Sequence, residues 1–382
     1  MMHTPALADP VEPFHAIRLS RLARRLEAEG RSIIHMEFGQ PSTGAPATAI
    51  ARAAEVLASD PGSYWESEPL KARIAGLYQS RHGVHVAPER IILTCGASPA
   101  LVLALTSAFR PGDLIAMARP GYVAYRNNVR ALGMQVQEIA CGPDSRYQVT
   151  AAHLAALDPA PAGVIIASPA NPTGTIIPAA EMAAIAAVCN ARNIRIISDE
   201  IYHGLSFIGP VASALEYAPD ALVVNSFSKY FSMVGWRLGW LVAPDDLLDA
   251  ARARMGNLFL TAPTLSQHAG LAAMDCVDEL ETHITRYAAN RQLMLDALPA
   301  MGLTKIAPPD GAFYIWADVS HLTDDAMALA EQLLLEAGVA AAPGYDFDPV
   351  DGHHFMRFSF AADTPQIHEA IARMTPWFQA RG

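Results

Sequence analysis

The sequence predicts an α/β protein: a mostly parallel sheet with helices on both faces, followed by a smaller α/β domain. Three observations predict it. Between residues 91 and 242, short apolar runs alternate with helical patterns. Such runs are strands buried on both faces, the usual condition of a parallel sheet. Polar and charged residues collect beside the ends of these runs, where open α/β sheets bind ligands. After about residue 250 the pattern turns helical, then repeats strand and helix on a smaller scale.

Composition sets the outer limits. The chain has 382 residues, 52% of them hydrophobic, which is enough for a sizeable core and more than one domain. Net charge is −11 without a lysine- or arginine-dense run, so neither nucleic acid nor an acidic membrane surface is an expected partner. Cys95, Cys141, Cys189 and Cys276 are widely spaced and read as reduced thiols. The N-terminus lacks a basic start followed by an apolar core. No run approaches the ~20 apolar residues of a membrane helix. A cytoplasmic protein is expected.

Taken in order, residues 13–30 carry Phe14, Ile17, Leu19, Leu22 and Leu26 among arginines, an amphipathic helix ending near Gly30. A short strand at 33–38 runs into the rigid turn Gly39–Pro46, where glycine lets a ligand approach the backbone. Residues 48–58 and 70–82 read as helices around the irregular, aromatic segment 62–70. His82 and His85 lack a third ligand and read as exposed helix-end histidines. A strand at 91–94 meets Gly96-Ala97-Ser98-Pro99 and then an apolar helix, with Ser98 as N-cap and Pro99 at the first helical position. Free N–H groups there suit a phosphate.

Strands at 114–117, 136–139, 163–168, 194–198, 221–225 and 238–242 follow, with a helix at 181–190. The first of these strands ends at Arg119–Tyr122. The third ends at Asn171, the fourth at Asp199–His203 and the fifth at Ser226. Helices are then expected at 251–259, 265–277, 278–298, 324–336 and 364–380, and strands at 311–316, 339–342 and 355–360. The expected domains are 46–279, holding the larger sheet, and 1–45 with 280–382. Gly96, Ala97, Ser98, Tyr122, Asn171, Asp199, Tyr202, Ser226, Ser228, Lys229 and Arg237 would meet in one crevice although they span about 140 residues.

Lys229 is the centre of this set. Alone, a lysine among hydroxyls could be a solvated surface residue; with partners it is an amine nucleophile able to form a Schiff base. Asp199 would keep a ring nitrogen protonated, and hydroxyls, backbone N–H groups and Arg237 would hold a phosphate. Pyridoxal phosphate requires this set. A nicotinamide enzyme would need a G-x-G-x-x-G turn and an acid about 20 residues on, and neither is in place.

Four motifs occur in fixed order: Asn171-Pro172-Thr173-Gly174, Asp199-Glu200-Ile201-Tyr202, Ser226-Phe227-Ser228-Lys229 and Gly235-Trp236-Arg237-Leu238-Gly239. With Phe38-Gly39-Gln40-Pro41 and Arg357-Phe358-Ser359-Phe360 at the two ends, the chain resembles a class I/II aminotransferase of the fold-type-I pyridoxal phosphate family. The resemblance implies catalytic roles for Lys229, Asp199 and Tyr202. It implies that Asp199 pairs with the pyridinium, Asn171 and Tyr202 with the phenolic oxygen, and that Tyr122 stacks on the ring. It implies a phosphate cup of Ala97, Ser98, Ser226 and Arg237 at the Gly96 turn, with Ser228 beside it. Arg357, Gly39 and Asn171 would take the substrate, an amino acid or a 2-oxo acid.

The family also implies a homodimer in which a tyrosine reaches the neighbouring subunit's phosphate. Tyr64 is the candidate and Trp65 the alternative, because the segment 64–71 is shorter than in relatives and lacks their glycine. Transamination is the expected activity, and a β-eliminating C–S lyase on the same fold is the alternative. A non-catalytic regulator would require a DNA-binding domain ahead of a fold that already starts near residue 13. Ser98 stands where some aspartate-using relatives carry lysine, which points away from aspartate as the dedicated donor.

Overall fold

The computed structural model describes residues 11–60 and 62–382. The eleven strands are β1 (Ile34–Met36), β2 (Ile91–Thr94), β3 (Leu114–Arg119), β4 (Gln135–Ala140), β5 (Gly163–Ala167), β6 (Arg195–Asp199), β7 (Leu222–Ser226), β8 (Gly239–Val242), β9 (Tyr314–Asp318), β10 (Val339–Pro343) and β11 (Phe355–Ser359). The α-helices are α1 (His15–Ala28), α2 (Ala47–Ser59), α3 (Glu68–His82), α4 (Ala97–Ala108), α5 (Val123–Ala131), α6 (Ala151–Ala156), α7 (Ala179–Arg192), α8 (Leu248–Leu258), α9 (Thr264–Ala273), α10 (Val277–Ala297), α11 (Ala326–Gln332) and α12 (Thr364–Gln379).

Seven strands form one sheet in the order β2-β8-β7-β6-β5-β3-β4. Strands β3 to β7 run parallel, whereas β8 is antiparallel to both β7 and β2. The unbroken apolar runs have a direct cause in packing. Leu222 and Val224 of β7 enter a core with Leu101 and Leu105 of α4 and Met255 of α8. Val223, between them, points to the other face and packs with Ile74 of α3, Ile185 of α7 and Ala269 of α9. Both faces of the strand are dry, so no polar residue alternates with the apolar ones. Each such side chain contributes about 1.5–3 kcal/mol on burial.

The second sheet has the order β1-β10-β11-β9. Strand β1 pairs parallel with β10, so the chain's beginning joins strands more than 270 residues away. A separate core holds this sheet against α1, α10, α11 and α12 through Leu19, Met294, Leu329 and Phe378.

Two helices, α5 and α6, are absent from the sequence reading. Helix α5 reads Val-Ala-Tyr-Arg-Asn-Asn-Val-Arg-Ala, and its N-cap is Tyr122, which makes no side-chain cap bond. Helix α6 has six residues and only one buried side chain, Leu154, although Thr150 caps it by accepting from the His153 N–H at 3.2 Å. Neither carries a long apolar period, the signal such readings depend on. Helix α4 also starts earlier than expected. Gly96, at φ +103°, is the N-cap, and Ser98 lies inside the first turn and caps nothing. Pro99 is tolerated there because first-turn N–H groups need no helical partner.

Candidate active site

Each chemical group comes from a strand end or the turn beside it. Strands β5, β6 and β7 end at the same edge of the sheet and deliver Asn171, Asp199 and Ser226–Lys229. Arg237 precedes β8. Because β8 runs antiparallel, the start of that strand lies beside the end of β7, with Gly239 paired to Ser226 and also to Thr94 of β2. This reversal brings Arg237 to the common edge, against the α4 N-terminus. A Cβ on Gly96 would collide with the Arg237 guanidinium, and Arg237 itself adopts φ +52°. From the smaller sheet, the turn after β1 brings Gly39, β9 brings Tyr314 and β11 brings Arg357.

These elements enclose a cavity of about 580 Å³. Eleven of the residues expected from sequence line it: Gly39, Ala97, Ser98, Tyr122, Asn171, Asp199, Tyr202, Ser228, Lys229, Arg237 and Arg357. Ser226 lies just behind it, donating from Oγ to Ser228 Oγ at 2.8 Å and accepting from the Ser228 N–H at 2.9 Å. Gly96 forms the turn on which Arg237 rests.

Lys229 Nζ donates to the Gly39 carbonyl oxygen. Desolvation comes first, then Arg357 and Arg237 nearby, in pulling its amine down from 10.5 to about 8; Asp199 opposes them. Asp199 moves in the opposite direction. Burial pushes its carboxyl up to about 6, although it accepts from Tyr125 OH at 2.6 Å and from the Ile201 N–H at 3.1 Å. The low-dielectric cavity therefore holds an amine with reduced proton affinity and a carboxylate that gains from a cationic partner.

Arg357 is fixed on four sides. Nη1 donates to Asn171 Oδ1 at 2.8 Å, and Nη2 donates to the Glu37 carbonyl oxygen. Its guanidinium lies 4.4 Å from the Tyr314 ring centroid and 4.6 Å from that of Phe347. Both rings hold the planar fork in orientation. Asn171 Nδ2 has no hydrogen-bond partner among the described residues. Tyr202 OH and Tyr314 OH meet at 2.6 Å, and burial, then Tyr314, pushes the Tyr202 phenol well above its ordinary value.

Tyr64 is not brought into this cavity. It is 82% exposed and borders a separate surface hollow with Trp65 and Leu260. Trp65 instead stacks on His268 of its own chain at 4.6 Å. His82 differs from the expected exposed histidine. Its ring turns inward, with Nδ1 3.0 Å from Glu216 Oε1 and the His203 ring centroid 5.3 Å away.

The sequence reading missed Tyr125 and Tyr314. Tyr125 is one turn beyond Tyr122, so it was accessible to anyone who placed a helix at 123. Tyr314 stands two residues before Trp316 in a strand, a spacing that puts both on one face. Its hydroxyl occupies the space where a Cβ on Gly39 would sit. Glycine at 39 therefore accommodates a side chain of the protein itself. The reading also left Phe14, Ile17 and Arg24 of the first helix out of the site, yet all three line the cavity.

A sequence model of the family "Aminotransferase class I and II" matches residues 33–374. The chain is 44% identical to the valine–pyruvate aminotransferase of Mycobacterium tuberculosis, over 98% of this chain and 99% of the relative. The crystal structure of an aminotransferase from Mycobacterium tuberculosis superposes with a TM-score of 0.96 at 44% identity, covering 98% of this chain and 99% of that one. The aspartate aminotransferase of Thermus thermophilus with maleate superposes with a TM-score of 0.89 at 28% identity, covering 96% and 97%.

Proposed function

The chain belongs to the class I and II aminotransferases, and on that premise we propose that it binds pyridoxal phosphate and moves an α-amino group from an amino acid to a 2-oxo acid, with Lys229 as the catalytic amine. What carries the reading is the convergence of Lys229, Asp199 and Arg357 on one cavity. Relatives matched over nearly the whole chain are named aminotransferases, which favours transamination over β-elimination.

The donor set fits the cofactor. Unpaired first-turn N–H groups of α4, Ser98, Ser228 and Arg237 form a cradle for a phosphate, with Ser226 supporting it from behind. Gly96 keeps that cradle free of a Cβ. Asp199, raised by burial, gains a cationic partner in a protonated ring nitrogen. Asn171 Nδ2 and Tyr202 OH are donors for the phenolic oxygen, and Tyr122 offers a ring face. When bound, pyridoxal phosphate supplies an aldehyde carbonyl and a ring that accepts electrons from the substrate Cα.

The remaining work belongs to the chain. Arg357 grips the substrate carboxylate with a pre-oriented fork, and Gly39 contributes backbone beside it. Asn171 holds that fork through Nη1. Lys229 Nζ, its proton affinity lowered, takes the proton from the substrate Cα and returns it along the reaction path. The buried walls shield the proton transfer from bulk solvent, while one water enters for the release of the first 2-oxo acid and one leaves when the second is converted. The first amino acid leaves as a 2-oxo acid, and a second 2-oxo acid leaves as an amino acid.

We read residues 46–279 as the cofactor-binding domain and 1–45 with 280–382 as the smaller domain that brings Arg357 and Gly39. We also propose a homodimer in which Tyr64 reaches the neighbouring phosphate. Its exposure supports this, as do the exposed Ile50 and Leu57 along a second hollow that shares Gln40, Val234 and Arg237 with the main cavity. A cytoplasmic location agrees with four free cysteines. Among the described residues no helix is long and apolar enough to cross a membrane.

The test is Lys229→Ala on folded protein. The expected result is loss of the imine absorbance and a fall in turnover on the order of 10²–10⁴-fold, the range for removing a positioned proton-transfer group. Retained turnover rejects the assignment. A panel of amino acids, each followed by 2-oxo acid formation with an added acceptor, separates transamination from pyruvate release by a lyase.

A further inference from the structure

We propose that Phe14 and Ile17 of α1 set which donor side chain the site accepts, that this selects amino acids with uncharged apolar side chains, and that buried Asp346 is the residue that positions them. The proposal rests on the aminotransferase reading and specifies its substrate class.

Helix α1 begins without a cap of its own. Its N-cap is Phe14, which has no side-chain oxygen, so the first N–H groups need an external acceptor. Asp346 supplies it from 331 positions away. The His15 N–H donates to Oδ1 at 2.7 Å and the Ala16 N–H donates to Oδ2 at 2.8 Å. His15 Nδ1 lies 2.9 Å from Oδ1. Asp346 is 1% exposed, and a carboxylate at a helix N-terminus also gains from the helix dipole. The residue after it, Phe347, is one of the two rings flanking Arg357. One turn therefore touches both Arg357 and the start of the helix that carries Ile17.

A second clamp fixes the same segment to α5, the helix that carries Tyr125. Glu12 accepts from Arg126 Nη2 and from Arg130 Nη1, both at 2.9 Å. Between the two clamps the Phe14 ring stands edge-on to Tyr122, with centroids 6.4 Å apart. Phe14 and Ile17 line the cavity, as do Leu101 of α4 and Ala124 of α5, and neither an acid nor a lysine reaches the lining from these three helices. The charged residue that this helix adds to the cavity lining is Arg24, an exposed residue two turns beyond Ile17. It makes no ion pair with a described residue and is where a dicarboxylic donor would have to seek its second partner.

The test uses holoenzyme with pyruvate as acceptor and L-valine, L-leucine, L-phenylalanine and L-aspartate as donors. Wild type is expected to prefer the apolar donors to aspartate. Phe14→Ala is expected to move the phenylalanine-to-valine ratio of kcat/KM by about 10-fold or more, the scale on which apolar pockets discriminate. Ile17→Ala, at a position already 42% exposed, moves the same ratio with little risk to folding. Asp346→Asn, assayed well below its Tm, is expected to move the same ratio in the direction that Phe14→Ala moves it, through KM and with kcat held. A fall in kcat alone marks a merely structural aspartate and overturns its assigned role. Ratios unchanged in both Phe14→Ala and Ile17→Ala overturn the proposal, as does an aspartate preference abolished by Arg24→Ala. If Lys229→Ala keeps its turnover, the aminotransferase reading falls and this proposal with it; if wild type turns over none of the four donors, or the variants turn them over at unaltered ratios, only this proposal falls.

Discussion

Lys229 and Asp199 have been pushed towards each other's needs by the same burial. The amine drops to about 8 and the carboxyl rises to about 6. The sign for the amine follows from linkage. Between about 8 and 10.5 the unfolded chain holds a proton on this lysine that the folded chain has released. Folding stability contributed by this site therefore rises with pH through that window, and below it the site opposes folding. The same shift governs reactivity, because only the neutral amine attacks a carbonyl. Capture of pyridoxal phosphate by cofactor-free protein is expected to speed up with pH, with a midpoint near 8 and roughly tenfold loss per unit below it. Stopped-flow absorbance across pH 6 to 10 measures this directly, and a rate still climbing about tenfold per unit up to pH 10 would show an amine with no depressed pKa. The identity of this lysine was legible in sequence because motif order fixes it. The pKa was not, since it depends first on burial and then on Arg357 and Arg237, and only the fold brings these about.

At the scale of elements, β7 and β6 were readable because each places apolar residues on both faces, whereas α3, expected at 70–82, begins at Glu68, where Ser67 caps it by accepting from the Leu70 N–H. The reversal of β8 was not readable. Its four residues, Gly-Trp-Leu-Val, carry the same apolar signal whichever way they run, and direction is decided by pairing with β7 and β2. That reversal places Arg237 against the α4 N-terminus, so the proposed phosphate cradle depends on a feature without a local sequence mark. Gly96 is its tightest point. At φ +103° an L side chain is strained, and the added Cβ would strike the Arg237 guanidinium. Gly96→Ala is therefore expected to destabilise the protein by about 1–3 kcal/mol and to weaken pyridoxal phosphate binding about tenfold or more by displacing Arg237. Equilibrium dialysis of the cofactor, alongside Gly83→Ala as a strained-turn control remote from the cradle, separates the two effects. Equal losses of cofactor in both variants would remove Arg237 from the phosphate.

For the whole molecule, the sequence led to two sheets and a cavity between them, but a single chain leaves one expected residue outside. Tyr64 is 82% exposed and shares a surface hollow with Leu260, 53% exposed, while Leu57, 70% exposed, borders a second hollow. Trp65, the other candidate, is occupied by His268 within its own chain. If Tyr64 completes the neighbouring site, two inactive variants can repair each other. In a mixed dimer of Tyr64→Ala and Lys229→Ala chains, the intact Lys229 of one chain is served by the intact Tyr64 of the other, and the second site carries both defects. Random pairing makes half the dimers mixed, so co-refolded or co-expressed chains should recover about a quarter of wild-type sites, well above the sum of the separate variants. If Tyr64 served its own chain, every site in the mixture would keep one defect and nothing would be recovered. Activity equal to the weighted sum of the two variants would therefore reject the cross-subunit role while leaving the chemistry of Lys229 untouched.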